Sequence, residues 1–537
     1  MSRSSSTIKT ECGIILHTVE MAFPAYLLKW LAEQQLRYSY HLFPFSLLIS
    51  FFIFILLRLI NGAWSQKPNL PPFPPKYPII GNLHQLGTLV HRSLRDLSDK
   101  YGPIMLLHLG GVPTLVVSSK EWAKEILKTH DITFANRPHT TAAKLLFYGC
   151  IDGAFAPYGE YWRQVRKIFV IELLSIKRVQ SFSFIREEEI TNMIKKISHL
   201  CSEGATINLS EMLLGLSNDI VSRCALGRKH ENKDGENKFG DLSRELEQLL
   251  GAFSFGDLFP WLGWMDSLTG LIEKIKKVSR DLDTFLDEIV DEHVKQMKQD
   301  GSDDKNDFVD ILLHVQKNNI LNTKFTREHI KALLLDMFVG GTDTTSTTIE
   351  WAIAELVKNP KIMKTVQEEV RRMTSKKQKL DEEDIQQMDY LKSVVKETLR
   401  LHPPLPLLVP HESSAATNLK GYHVPSKTRV YINAWAIQRD PEMWNNPEEF
   451  SPERFSSDLK GQNYEYLPFG SGRRGCPGMS FGLVVSESVI ANLLYWFDWE
   501  LPGGANNEDL DMSESFGLVV TKKIPLHLVP TSHCFSL

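Results

Sequence analysis

Cys476 lies in the run Pro468-Phe469-Gly470-Ser471-Gly472-Arg473-Arg474-Gly475-Cys476-Pro477-Gly478, whose residue types suit a sulfur that binds a metal as a thiolate. Glycines take backbone angles that other residues resist, so the N–H groups of this loop can approach the sulfur closely. Pro477 suits the first turn of the apolar helix expected from Met479 to Leu494. The positive end of that helix then faces the sulfur and favours the thiolate. Phe469 can cover one side of a flat cofactor, and Arg474 offers a fork of donors to a carboxylate. For a lone cysteine the simpler alternative is a buried structural residue beside a glycine-rich turn.

A second run, Gly340-Gly341-Thr342-Asp343-Thr344-Thr345-Ser346-Thr347-Thr348, sits mid-way along an expected helix over 326–358, roughly 50 Å long. Thr326 can cap its start and Pro360 stops it. Interior glycines cost up to about 1 kcal/mol each, and the Ser/Thr run is also unfavourable. Gly340 and Gly341 remove bulk, so a flat cofactor and O2 can lie against the backbone. Thr344 then offers a hydroxyl to that oxygen, and Asp343 a link to water. Taken alone, the glycines serve equally well for a close helix crossing. Glu397 and Arg400 share one helix face and can pair. By themselves they read as an exposed salt bridge worth a few tenths of a kcal/mol. Trp162 and Arg166 stand one turn apart and can both donate to an anionic cofactor edge. Arg163 and Lys167 beside them are expected outside, on a face that receives an electron donor.

These runs resemble the cytochrome P450 family, most closely its plant A-type microsomal monooxygenases of the 71 clan. Phe469, Gly472, Arg474, Cys476 and Gly478 fill Phe-x-x-Gly-x-Arg-x-Cys-x-Gly. Gly340, Gly341, Asp343 and Thr344 fill Ala/Gly-Gly-x-Asp/Glu-Thr. Glu397 with Arg400, Trp162 with Arg166, and Pro452-Glu453-Arg454-Phe455 match three further motifs, and the resemblance covers residues 68–530. It implies heme b, with Cys476 as the iron ligand and Trp162, Arg166 and Arg474 toward the propionates. It places Phe469, Gly470, Gly478 and Gly341 around the ring, Asp343 and Thr344 on a proton path, and Glu397, Arg400 and Arg454 in a buried structural cluster. Plant relatives usually read Val-Pro-Arg-Glu where this chain reads Val409-Pro410-His411-Glu412. His411 can still hydrogen-bond a propionate, with a charge that depends on pH. The analogy lines the substrate pocket with Phe147, Phe338, Leu405, Leu408, Val409 and Phe516. All are apolar, which implies a small or medium lipophilic substrate, although each equally suits ordinary core packing; the resemblance makes that substrate a plant specialised metabolite. The implied activity inserts one atom of O2 into that substrate. Electrons come from NADPH through the flavins of a cytochrome P450 reductase. The alternative is a heme-thiolate isomerase or dehydratase acting without O2; such members often lose the helix threonine, which is intact here as Thr344.

The elements that must position these residues are mostly helical. Helical periodicity covers 88–100, 119–130, 159–172, 184–201, 240–252, 266–299, 326–358, 360–374, 388–402 and 479–497. Strand-like runs occur at Ile104–His108, Thr114–Ser118, Arg429–Ile432 and Gly517–Lys523. The expected architecture is mainly α with a small β portion, the cytochrome P450 fold, over residues 81–537. The 537 residues carry a net charge of -4, which makes no case for nucleic-acid binding. Six scattered cysteines argue against a disulfide framework and a zinc cluster. The sequon Asn208-Leu209-Ser210 is expected to be unmodified.

Leu42 to Leu57 carries no charge, and spans roughly 24 Å as a helix against about 30 Å for a bilayer core. Arg58 can snorkel outward and extend it, so residues 42–60 are expected to be a membrane anchor. No small-residue cleavage site follows it, as a signal peptide requires. The proline-dense residues 61–80 form a stiff hinge. By family resemblance the anchor is single-pass in the endoplasmic reticulum membrane, with the catalytic domain facing the cytosol; flanking charges vote weakly. Residues 1–41 form an extension that a gene-model artefact would also produce, with Met21 a second candidate start.

Overall fold

The computed structural model describes residues 46, 48–53, 69–229, 238–300, 307–318, 324–373, 380–455 and 464–533. The chain divides into two units, Met1–Asn69 and Leu70–Leu537. In the first, residues 48–53 are helical, with Leu48, Ile49, Phe51, Phe52 and Ile53 exposed. The extension 1–41 and, apart from Ser46, the rest of the anchor expected over 42–60 lie outside the described residues. Of the hinge, residues 69–76 carry no helix, as the proline run dictates.

In the second unit the apolar stripes become helices that bury one another. Those that bear on the site are α1 Val90–Tyr101, α2 Glu160–Lys167, α3 Leu209–Leu226, α4 Lys238–Leu250, α5 Leu271–Asp300, α6 Arg327–Gly341, α7 Asp343–Lys358, α8 Asp389–Leu401 and α9 Met479–Trp496. α7 packs against α3, α8 and α9 at once, so it has almost no free face. All of Thr345–Val357 is buried. α3 went unread in the sequence because apolar and small residues occupy most of its faces, leaving little amphipathic contrast. Asn208, the sequon residue, is its N-cap and accepts from Glu211 N–H at 3.2 Å. Phe308–Lys317, a second helix not expected, packs on α3 and α6.

The expected 326–358 helix begins as proposed, with Thr326 and His329 forming a reciprocal cap. It is not continuous, however. Thr342 stays right-handed at φ -86°, ψ -73° but bends the chain, and separates α6 from α7. Thr344 Oγ1 donates to the Gly340 carbonyl at 2.6 Å, a side-chain bond that competes with the backbone ladder and bends helices.

A small sheet holds the opposite flank. β1 (Ile104–Leu109) runs antiparallel to β2 (Val112–Val117), and β4 (Arg429–Ile432) lies parallel to β2. β3 (His411–Glu412) completes it, with His411 opposite Val430. The expected strand over Gly517–Lys523 shrinks to Thr521–Lys522, paired with Glu514–Ser515. The C-terminal strand β6 (His527–Ser532) pairs with β5 (Phe497–Glu500) instead. α9 is the one described helix long and apolar enough to cross a membrane, and 56% of it is buried in the core.

Glu397 and Arg400 on α8 form a fully buried bidentate pair at 2.7 and 2.8 Å, not an exposed one. Arg400 also donates to the carbonyls of Gln438, Pro447 and Glu449. Arg454 Nε reaches Glu397 at 3.3 Å, as the resemblance implied. The link to the cysteine loop runs through Gln438. Its amide donates to Leu399 and Arg400 carbonyls, and its Oε1 accepts from Leu467 N–H at 2.7 Å. Removing one partner strands the other charge in a medium of low dielectric. Glu397→Ala should therefore lower unfolding free energy by about 3–5 kcal/mol. Denaturant titration measures this, and an unchanged midpoint would show that the cluster does not brace the loop.

Candidate active site

The cysteine loop is shaped by its glycines. Gly470 (φ +66°) and Gly472 (φ +71°) sit in the left-handed region, and a Cβ on Gly472 would stand 2.4 Å from the Leu127 carbonyl oxygen. Cys476 N–H donates to Phe469 O at 2.9 Å, which closes the loop. α9 starts at Met479 with Gly478 as N-cap, so Pro477 precedes the helix and does not sit in its first turn. The N–H groups of Gly478 and Met479 point at the sulfur and lower the thiol pKa, as does the charge of Arg166. Burial outweighs them and pushes the thiol up, so the helix end alone does not produce a thiolate.

Cys476 is enclosed by the chain, and the surface it leaves accessible opens onto a cavity of about 280 Å³. The opposite wall is α6 and the start of α7, where Met337, Gly340, Gly341, Thr344, Thr345 and Thr348 line it. These positions recur at three and four residues, one stripe of a helix. The two glycines differ. A Cβ on Gly340 would meet nothing within 4 Å, whereas one on Gly341 would lie 2.9 Å from Val221 Cγ2 of α3. Gly341 thus serves a close helix crossing while also lining the cavity, and Gly340 keeps the cavity open.

The polar rim gathers Trp162, Arg166, His411 and Arg474 as expected, and adds Arg137. Trp162 Nε1 donates to Gly153 O at 2.9 Å, and Arg474 lies over its ring at 4.1 Å. Arg474 spends its fork on the carbonyls of Ala135, Gly153 and Ala156, not on a carboxylate. Arg166 lines the cavity with no side-chain hydrogen bond or ion pair among the described residues. His411 Nδ1 donates to Phe134 O at 2.8 Å, which leaves Nε2 as an acceptor. Burial and the charges of Arg137 and Arg474 hold its pKa well below 6.5, so the ring is neutral near neutral pH and does not switch there.

Loop 152–156 organises this rim. Its carbonyls accept from Trp162, Arg474 and Arg137. Its N–H groups donate to Asp152 and to Asp336 of α6, the latter from Gly153 at 2.5 Å. The two carboxyls bond each other, and burial and mutual repulsion hold Asp336 well above the usual carboxylate range. Asp336 was readable as the lone charge in Ala332–Gly341; Arg137 and Gln438 had no sequence signal.

The pocket expectations hold in part. Leu405, Leu408 and Val409 line the cavity. Phe147 does not; it is fully buried in the core against Phe155, which lines the cavity in its place. Phe338 is also core, about 100° around α6 from Met337. Phe516 is 43% exposed and stacks on His91, while Leu518 and Val519 reach the cavity.

Gly341→Ala should destabilise the protein by about 1–3 kcal/mol through overpacking against Val221. Gly340→Ala should keep the melting temperature yet narrow the cavity and weaken ligand binding. Equal losses of melting temperature at both positions would refute this division of labour.

Residues 71–529 match the family model described as Cytochrome P450. The chain is 57% identical over 459 residues to cytochrome P450 71A1 of Persea americana, covering 84% of this chain and 91% of the relative. Desmethylyatein synthase of Sinopodophyllum hexandrum is 52% identical over 91% of this chain and 99% of its own length. Phenylacetaldehyde oxime monooxygenase of Prunus mume is 51% identical over 90% and 93%. A zebra fish cytochrome P450 solved with progesterone superposes with a TM-score of 0.71 at 25% identity, covering 82% of this chain and 99% of that one. A cysteine that faces an internal cavity, on a fold shared with solved relatives and under a family match of this extent, leads to one assignment: the chain belongs to the cytochrome P450 family.

Proposed function

We propose that this heme-thiolate monooxygenase acts on a small lipophilic plant specialised metabolite, with NADPH-derived electrons delivered by cytochrome P450 reductase. The observation that carries this is the sulfur of Cys476 facing the apolar cavity, across from Gly340 and Thr344. The residues present fit heme. Among the described residues Arg166 offers a guanidinium without a partner, and a flat ring meets no Cβ at Gly340. Cys476 would hold the iron, with Phe469, Gly470 and Gly478 on its side and Gly341 opposite. Trp162, Arg166 and Arg474 would face the propionates, joined by Arg137. His411 would hold a carboxylate only by taking up a proton at Nε2, which a nearby anion favours. Bound heme supplies the activation of O2 and the transfer of one oxygen atom.

Around it the chain does three things. Leu405, Leu408, Val409 and Phe155 exclude water and bind by apolar contact. Thr344 holds its hydroxyl by donating to Gly340 O, which leaves its lone pairs free to accept a proton relayed from Asp343. The Glu397–Arg400–Arg454 cluster braces the loop that presents the sulfur. Relatives are named for an oxime, for desmethylyatein and for tabersonine, which supports a specialised-metabolite substrate. The uncharged run from Leu42, followed by a proline-rich hinge, supports an anchor in the endoplasmic reticulum membrane with the domain on the cytosolic side. Exposed Arg163 and Lys167 suit a face for the reductase.

Microsomal expression with a reductase, and product profiling against terpenoids, phenylpropanoids, coumarins, indoles and oximes, tests the reading. NADPH and O2 should be consumed with substrate, and turnover without either would favour an isomerase or dehydratase. Cys476→Ala should abolish the red-shifted absorbance of the reduced CO complex. Thr344→Ala should retain heme and divert electrons to peroxide; unchanged coupling would remove Thr344 from the proton path.

A further inference from the structure

Glu247 lies on α4, a helix that packs against α6, and it is only 7% exposed. Its carboxyl is hydrogen-bonded to that of Asp343, the first residue of α7. Its Oε1 has no N–H or O–H partner. Two carboxyl groups bonded to each other must share a proton, because ionised carboxylates only accept. Burial and the charge of Asp343 push Glu247 up to about 11, so Glu247 is the protonated member at neutral pH. From α6 and α7, Asp343 is the titratable group that acts on it. α5 and the helix Thr141–Leu146, also packed on α4, bring none that does. Arg244 and Glu245, on its own helix, are exposed. One turn before Glu247 on the same face, the hydroxyl of Ser243 is buried without a partner, as is that of Thr342 next to Asp343. Buried polar atoms lacking partners are where ordered water binds.

We propose that Glu247 reloads Asp343 with protons during turnover. The proposal rests on the monooxygenase reading and adds to it a carboxyl from a different helix. Asp343, the member of the pair without the proton, takes the proton of Glu247 and hands it on toward the Thr344 hydroxyl. One O–H bond breaks at Glu247 and one forms at Asp343. The negative charge passes to Glu247, and water beside Ser243 returns a proton to it. No electrons move in these steps. Glu247 acts through Asp343 and is a positioning and proton-holding residue, not a catalytic one.

Glu247→Gln keeps a donor toward Asp343 but has no proton to release. In the holoenzyme it should leave the reduced-CO spectrum of the thiolate unchanged. Product formed per NADPH should fall about tenfold or more, with peroxide rising in step and a larger solvent isotope effect. Glu247→Asp should recover part of the loss. Infrared spectroscopy of the wild-type holoenzyme at neutral pH should show a protonated-carboxyl band that shifts in D2O and is missing from Glu247→Gln. A wild-type-minus-Glu247→Gln difference spectrum with no lost protonated-carboxyl band, the band of the Asp152–Asp336 pair remaining in both, would overturn the proposal, as would coupling and isotope effect equal to wild type. Were Glu247→Gln to fail to accumulate, the coupling and solvent isotope effect of Glu247→Asp would decide in its place, wild-type values overturning the proposal. Wild-type protein that consumed neither O2 nor NADPH with any substrate would instead sink the monooxygenase reading, and the infrared band would still report on Glu247 and Asp343.

Discussion

The structure depends on keeping one gap open, between the N-terminal end of α9 and the wall made by α6 and α7. A cavity beside a sulfur is unfavourable for a polypeptide, which gains by closing on itself. Each wall therefore needs its own support. The cysteine side is held by glycines in conformations other residues avoid, and by the Cys476 N–H to Phe469 O bond. The helix side is held from behind, where Gly341 lets Val221 of α3 approach and α7 is buried by three neighbours. The gap survives because both walls are packed against something else.

Buried charge does much of that bracing. Glu397 and Arg400 are wholly out of water, and their remaining donors go to backbone carbonyls that would otherwise be unsatisfied. The same logic recurs at the rim. Arg474 and Arg137 donate to backbone carbonyls of loops at residues 135, 153–156 and 409–410, and Asp336 receives Gly153 in return. The arginines thus act first as loop organisers. Arg166 is the cation turned to the cavity with its donors uncommitted among the described residues. Acidic partners behave differently. Where two carboxyls meet, at Asp152 with Asp336 and at Glu247 with Asp343, burial favours a shared proton over two charges. Both pairs include a residue of the helix that forms the cavity wall.

Much of this was legible before any coordinates. The cysteine loop, the Gly340–Thr344 run, Glu397 with Arg400 and Trp162 with Arg166 are short motifs whose members are placed by local geometry, so spacing alone relates them. The long amphipathic helices were equally plain. The misses have a common cause. α3 is buried on most faces and carries no stripe to read. Phe147, Phe338 and Phe516 are large and apolar, the property expected of a substrate wall, yet burial in the core and exposure to solvent claim the same residue type. Which side of a helix meets the cavity is decided by its packing partners, and these are distant in sequence.

By itself, the sequence determined the kind of chemistry. A sulfur, its glycine turn and the helix propensity broken over Gly340–Thr348 are properties of contiguous residues, and contiguous residues need no tertiary contact to state their purpose. Tertiary structure alone decided how those properties are tuned. His411 is neutral because folding buries it and brings Arg137 and Arg474 beside it from far along the chain, Gln438 ties the α8 cluster to the cysteine loop, and the carboxyls of Glu247 and Asp343 meet across two helices. Electrostatic character depends on what surrounds a group in space, and folding is what supplies the surroundings.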